Sequence, residues 1–147
     1  MRRRLEESRR RNDLKRGIGG LADLEFIVQY LMLIHAANRP DLLRANLWEA
    51  LDALQRAAIL PAATHAELRE AYDFLRTVEG RLRLIHDRAI ADLPDNPAEL
   101  LGLSRRLNYH ATAPEEAVGA FLADADRHSS CTRTIFERYV GSTRGGE

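Results

Sequence analysis

Apolar residues recur at intervals of three and four along most of this chain, and no run of β-branched or aromatic residues alternates with period two. A strand returns to one face every second residue and a helix every three or four, so this spacing admits helices and little else. Leu68, Tyr72, Leu75, Val78, Leu82, Ile85 and Ala89 hold the spacing through a single long run. The chain therefore reads as an all-α helical bundle of about six helices, with Asp13 to Lys15 as the one extended stretch.

Local signals place the elements. A first helix over about 2–12 is polar nearly all round, with Leu5 as its only apolar interior residue, so it gains little by burial and reads as the continuation of something upstream. Lys15-Arg16-Gly17-Ile18-Gly19-Gly20 follows as a tight glycine-rich loop. From Leu21 to Ala37 apolar residues occupy most faces: Leu21, Leu24, Ile27, Val28, Leu31 and Ile34 on one side, Phe26, Tyr30 and Leu33 on another. That pattern predicts a centrally buried helix, closed by Asn38-Arg39-Pro40-Asp41. A third helix is expected from about Leu42 or Asn46 to Ile59, with Leu47, Leu51, Leu54 and Ala58 on its buried stripe and Trp48 against a neighbour.

Thr64-His65-Ala66-Glu67 has the form of a capping box, which starts the long helix near His65 and carries it to about Ala91. Asn96-Pro97-Ala98-Glu99 offers a cap, a proline at the first helical position and an early acid, predicting a short helix to about Leu107. Ala113-Pro114-Glu115-Glu116 opens the last helix, whose stripe is Val118, Phe121, Leu122, Ala125, Thr132, Ile135, Phe136 and Tyr139, and Gly141 ends it. Three regions result: a basic helix and linker over 1–16, a helical domain over 17–141, and a tail over 142–147 expected to fray.

Composition narrows the function classes. A chain of 147 residues with 45% hydrophobic and 30% charged residues is one folded domain rather than a disordered or fibrous polymer. One cysteine, Cys131, cannot staple a secreted scaffold, and no Cys/His spacing resembles a zinc site. The longest apolar stretch, Phe26 to Ala37, is too short to cross a bilayer, and the arginine-rich start lacks the apolar core of a secretory signal. The expected location is cytoplasmic. Charge balances overall, yet residues 1–16 carry seven Arg and Lys15 against Glu6, Glu7 and Asp13. A nucleic-acid arm is one reading of that excess and a solvated helical end is the other, which general experience with charge runs favours.

The glycine loop carries the most chemical information. Two cations, three glycines and a helix start together present backbone amides, a positive helix dipole and side-chain charge, which suits an anion held by Lys15, Arg16, Gly17, Gly19 and Gly20. A tight turn with basic neighbours fits the same residues. No Walker or dinucleotide fingerprint is present. Asp23 and Glu25 lie just inside the helix but diverge around it, so they cannot share one metal unless the helix begins late, and no metal site is expected. Asp23 also suits the helix dipole, whereas Glu25 and Gln29 are unusual in so apolar a helix if it is buried. Arg76, Glu79, Arg83 and Asp87 form a charge ladder at helical spacing; with Gln29 they are read as a structural polar set, either intrahelical or fixing register against the 21–37 helix. Asp124 and Asp126 diverge and are not read as a catalytic pair, the five histidines are isolated, and no nucleophile has a base partner.

The string from Asp13 through Gly17, Gly19, Gly20, Asp23 and Glu25 to Tyr30 resembles the segment that follows the nucleotidyltransferase fold in bacterial glutamine synthetase adenylyltransferase, the bifunctional adenylyl-transferring and adenylyl-removing enzyme. The resemblance continues through Asn46 to Leu51, Glu70 to Arg83, Asp92-Leu93-Pro94, Leu103 to Leu107 and Phe136, so it covers nearly the whole chain as a helical C-terminal portion. PII uridylyltransferase is related and shares the loop, but Asp23-Leu24-Glu25-Phe26 and Gln29 are more similar to the adenylyltransferase.

That resemblance implies an ATP- and magnesium-dependent nucleotidyltransferase parent, acting on glutamine synthetase under control by PII protein and glutamine. It implies that the metal-binding acids lie upstream of the loop, so residues 1–16 would be the remnant of a missing upstream domain. Lys15, Gly17, Gly19, Gly20, Asp23 and Glu25 would then line the catalytic cleft, and neither ATP nor magnesium would be expected on this chain alone. The alternative is a noncatalytic helical module binding glutamine synthetase, PII protein or itself.

Overall fold

A computed structural model describes Asp13 and residues 17–86 and 92–141. The expected helix over 2–12, Lys15, Arg16, Asp87, Ala89 and the tail lie outside the described residues. Those described form an all-α bundle of five α-helices: α1 (Leu21–His35), α2 (Leu47–Arg56), α3 (Ala62–His86), α4 (Pro97–Arg106) and α5 (Pro114–Tyr139), with a 3-10 turn at Pro40–Leu42. The extended stretch is represented by Asp13, which makes an isolated antiparallel bridge to Asp92. Among the described residues no helix is long and apolar enough to cross a membrane.

Of the two caps the sequence offers, Asn96 forms and Thr64 does not, and Asn46 caps the third expected helix. Asn46 Oδ1 accepts the Glu49 amide at 3.1 Å and starts α2; Asn96 Oδ1 accepts the Ala98 and Glu99 amides at 2.9 and 3.3 Å and starts α4 behind Pro97. The expected capping box at Thr64 does not form. Pro61 already offers its carbonyl to the His65 amide at 2.9 Å, so α3 begins at Ala62 and Thr64 is buried inside its first turn. At the other end of α2 the helix stops at Arg56, and Ala58, expected on the buried stripe, is an exposed turn residue with φ 59°. Its amide bonds to the Gln55 carbonyl and that of Ile59 to Leu54, a left-handed closure that Asn108 repeats after α4.

Packing follows two geometries. α3 runs antiparallel to α2 and to α5: Trp48 stands edge-on to Tyr72 at 4.6 Å and donates to Asp73 at 2.7 Å, Asp52 accepts from His65 and Arg69 at 2.8 and 3.0 Å, and Phe74 meets Phe121 and His128. α1 instead lies parallel to α5, with Gly19 on Ser129, Asp23 beside Arg133 and Phe26 against Phe136. The core gathers Leu24, Ile27, Leu51, Leu54, Leu68, Leu82, Leu103 and Phe121, all fully buried.

α1 is not buried all round, contrary to its sequence pattern. Leu21, Leu24, Ile27, Val28, Leu31 and Met32 face the core, while Phe26, Leu33 and Ile34 stay open, Leu33 by 69%. α2, α3, α5 and the 3-10 turn cover only part of its circumference, so Glu25 and Gln29 lie in water and incur no burial cost. The ladder on α3 is intrahelical: Glu79, buried, accepts from Arg76 and Arg83 at 3.2 Å each, and neither pair reaches α1.

Two left-handed positions should respond oppositely to substitution. Gly19 has φ 71°, and a Cβ there would sit well inside contact of the Ser129 carbonyl. Gly19→Ala should cost at least about 2 kcal/mol in urea denaturation, whereas Ala58→Gly should gain about 0.5–1 kcal/mol by relieving a side chain at positive φ. A second prediction concerns His128, whose pKa is held below its ordinary value by burial and then by Arg127. The unfolded chain binds that proton more readily, so stability is full above about pH 6.5 and should fall by up to about 1.4 kcal/mol per pH unit below it. His128→Gln should flatten that part of the curve.

Candidate functional site

Three glycines and the first turn of α1 meet the middle of α5. Gly17, Gly19 and Gly20 are buried, and among the described loop residues only Ile18 projects outward. The three glycine amides are committed within the chain: Gly17 donates to the Asp13 carbonyl at 2.9 Å, Gly20 to the Gly17 carbonyl at 3.0 Å, and Gly19 to Asp23 Oδ2 at 2.7 Å. Gly20 occupies the N-cap position of α1 without a side chain to offer, so Asp23 supplies the carboxylate that orders the entry. The same oxygen faces Arg133 Nη1 at 3.5 Å, joining the loop to α5.

Arg133 is shared. Its Nε donates to Glu137 at 3.2 Å and its guanidinium lies 4.8 Å from the Phe136 ring centre, a cation–π arrangement. Beside it opens a groove of about 490 Å³ lined by Ile18, Asp126, Ser129, Ser130 and Arg133. Asp23 and Glu137 pair with Arg133, and Asp126 shares the groove lining with it. Phosphate binding at this loop would rest on Lys15 and Arg16, which lie outside the described residues.

Of the sequence-identified residues, the structure brings together Gly17, Gly19, Gly20 and Asp23. Glu25 and Gln29 share the open face of α1 without joining them, and Arg76, Glu79 and Arg83 sit on α3. Asp87 lies outside the described residues. Among the described residues no three His, Cys, Asp or Glu side chains converge to hold a metal ion. The donors present therefore do not fit a magnesium site. Asp126, Ser129, Ser130 and Arg133 were not singled out from the sequence as groove residues; they meet the loop only through the close approach at Gly19, which no local pattern announces. Asp124 and Asp126 do diverge, Asp124 accepting from Tyr109 at 2.6 Å while Asp126 lines the groove.

The model of the GlnD PII-uridylyltransferase family matches residues 1–140. The chain belongs to that family. Within it, the chain is similar to the bifunctional glutamine synthetase adenylyltransferase/adenylyl-removing enzymes. It is 34% identical over 142 residues to the one from Aromatoleum aromaticum, covering 96% of this chain and 14% of that enzyme. The Bordetella pertussis enzyme is 36% identical over 121 residues, 80% of this chain and 13% of its own length. The Streptomyces coelicolor enzyme is 35% identical over 125 residues, 85% and 12%. This member of the GlnD PII-uridylyltransferase family thus spans about one seventh of the length of the curated relatives it matches.

In this family member the brace at Asp23 is directly testable. Asp23→Ala leaves the Gly19 amide without its acceptor and Arg133 without one of its partners, which should cost about 1–3 kcal/mol. Urea denaturation gives the total, and faster amide exchange at Gly19 localises it; unchanged exchange would remove the brace.

Proposed function

We propose that the chain serves as the helical portion of a glutamine synthetase adenylyltransferase, forming one wall of a cleft whose nucleotidyltransferase wall lies upstream. The reaction of the whole enzyme would be ATP-dependent transfer of AMP to glutamine synthetase and its removal, under control by PII protein. Lys15 and Arg16 would face the nucleotide phosphates from the linker, and the loop of Gly17, Gly19 and Gly20 would fix where they stand. Asp23 would position that loop, and Glu25 would face the cleft from the open side of α1. ATP and magnesium would be held by the upstream domain.

The observation that carries this reading is the open face of α1. Phe26 and Leu33 are exposed on the helix that begins at the glycine loop, on the side that bears Glu25 and Gln29, and Ile34 is exposed at the other edge of the open arc. A face so apolar on a small domain is a face meant to be covered, and the relatives supply several hundred further residues to cover it. A second reading, a noncatalytic module that binds glutamine synthetase, PII protein or a second copy, draws on the loop amides being committed within the chain.

The 147 residues with ATP and magnesium should leave glutamine synthetase unmodified, while a form extended upstream through a nucleotidyltransferase domain should adenylylate it. Activity of the short chain would overturn the proposal. In the extended form Lys15→Ala should lower the transfer rate about 10- to 100-fold at unchanged Tm, as loss of one phosphate-facing cation does. Retention of glutamine synthetase on the immobilised short chain, equal with and without ATP, would favour the binding module.

A further inference from the structure

The groove beside the glycine loop is lined by polar groups that neither the packing nor the proposed function uses. Asp126, Ser129, Ser130 and Arg133 recur at helical spacing, so they share one face of α5, and Ile18 stands beside them from the loop, 59% exposed. The groove encloses about 490 Å³, within the range of ligand-binding clefts. Among the described residues the Asp126 carboxylate and the hydroxyls of Ser129 and Ser130 have no hydrogen-bond or ion-pair partner, whereas Asp124, two residues earlier on α5, is bonded to Tyr109. Arg133 gives Nε to Glu137 and Nη1 to Asp23, which leaves Nη2 as its open edge.

These groups restrict what would fit. Asp126 can only accept, Arg133 can only donate, and the two serine hydroxyls between them do either. An anion would have to share Arg133 with the carboxylates of Asp23 and Glu137, and it meets Asp126 as a like charge. An ammonium group suits Asp126 but accepts nothing from Arg133. A neutral group with adjacent hydroxyls both donates and accepts, and a vicinal diol can place its two hydroxyls on the two oxygens of one carboxylate. A sugar ring carries such a diol on its edge and a C–H face that matches the exposed aliphatic side chain of Ile18.

We propose that this groove binds a sugar ring through its vicinal hydroxyls, which donate to Asp126 and bond with Ser129 and Ser130, with the C–H face of the ring on Ile18. Arg16, two residues before Ile18 in the chain, is the linker cation that the proposed function sets against nucleotide phosphate, so the ribose of that nucleotide is the sugar the groove would meet. The link to a nucleotide rests on that reading; recognition of the diol does not.

The test uses the full chain labelled with 15N, titrated to about 10 mM with adenosine, 2′-deoxyadenosine or methyl β-D-ribofuranoside, none of which carries phosphate. Adenosine should move the amide signals of Ile18, Ser129 and Ser130 saturably, and 2′-deoxyadenosine, which lacks the diol, should bind at least about fivefold more weakly. Movement by the riboside as strong as by adenosine would support the proposal with the sugar as sufficient ligand, and stronger movement by adenosine would support it with a nucleoside as the ligand. Asp126→Ala should lower the affinity at least about fivefold at unchanged Tm, because Asp126 is exposed and unpaired among the described residues. Ser130→Ala should lower it as well and decides the matter if Asp126→Ala shifts Tm. Equal response to adenosine and 2′-deoxyadenosine, no response at these amides, or undiminished binding in the variants would each overturn the proposal. The readout involves no adenylyl transfer, so failure here and failure of the adenylyltransferase reading are separate results.

Discussion

The backbone of Gly19 lies against the carbonyl of Ser129, and the way α1 sits on α5 depends on that contact. Parallel helices gain nothing from their dipoles and need some other reason to lie together. Here a residue without a side chain, in a left-handed conformation, lets the loop reach the α5 backbone at a single point. Once that point is set, the same rise per residue in both helices brings Asp23 beside Arg133 and Phe26 against Phe136, one pair after another along the shared axis. Asp23 then closes the arrangement by accepting both the Gly19 amide and the Arg133 guanidinium.

The open face of α1 is a consequence of the same docking. α5 takes one flank of α1 and half covers Phe26, α2 and α3 take others, and no described element covers the side bearing Glu25, Gln29 and Leu33. The aromatic rings there are partly sheltered by each other. Phe26 stacks with Tyr30 at 6.4 Å and tilts onto Phe136 at 5.9 Å, and Arg133 covers part of Phe136. Interactions of this kind contribute about 0.5–1.5 kcal/mol each, enough to order the surface but less than its full burial would give.

Most of the fold was legible because helical signals are local. Asn46 and Asn96 cap the helices they precede, and Pro114 opens α5. The spacing of Leu68, Tyr72, Leu75, Val78 and Leu82 does mark the buried stripe of α3. What the sequence misled about depends on competition or on distance. Thr64 and Glu67 have the right chemistry for a capping box, but Pro61 offers its carbonyl one turn earlier and the hydroxyl is drawn inward. Ala58 has an apolar side chain at a helical interval, yet the chain must reverse there and takes a left-handed residue that is usually glycine. The apolar outer face of α1 says that Phe26 and Leu33 prefer cover without saying whether this chain provides it. The groove residues Asp126, Ser129 and Arg133 are joined to the loop by a contact more than a hundred residues apart, and no local pattern encodes that.

Glycine-rich loops before helices invite the inference of a phosphate site because their amides point outward. In this chain the glycines have another sufficient cause. Gly19 is required by its dihedral angle and by the approach to Ser129, and the amides of Gly17, Gly19 and Gly20 are bonded within the loop and to Asp23. The carboxylates of Asp23 and Glu137 meanwhile occupy Arg133, so that guanidinium serves the packing of α1 on α5. So the glycines themselves argue for packing, and the case for a nucleotide at this end of α1 passes to the cations of the preceding linker and to the surface that the open face of α1 is shaped to meet. Under the proposed function the loop would act by holding the start of α1 against α5, a positional role that needs no direct contact with phosphate.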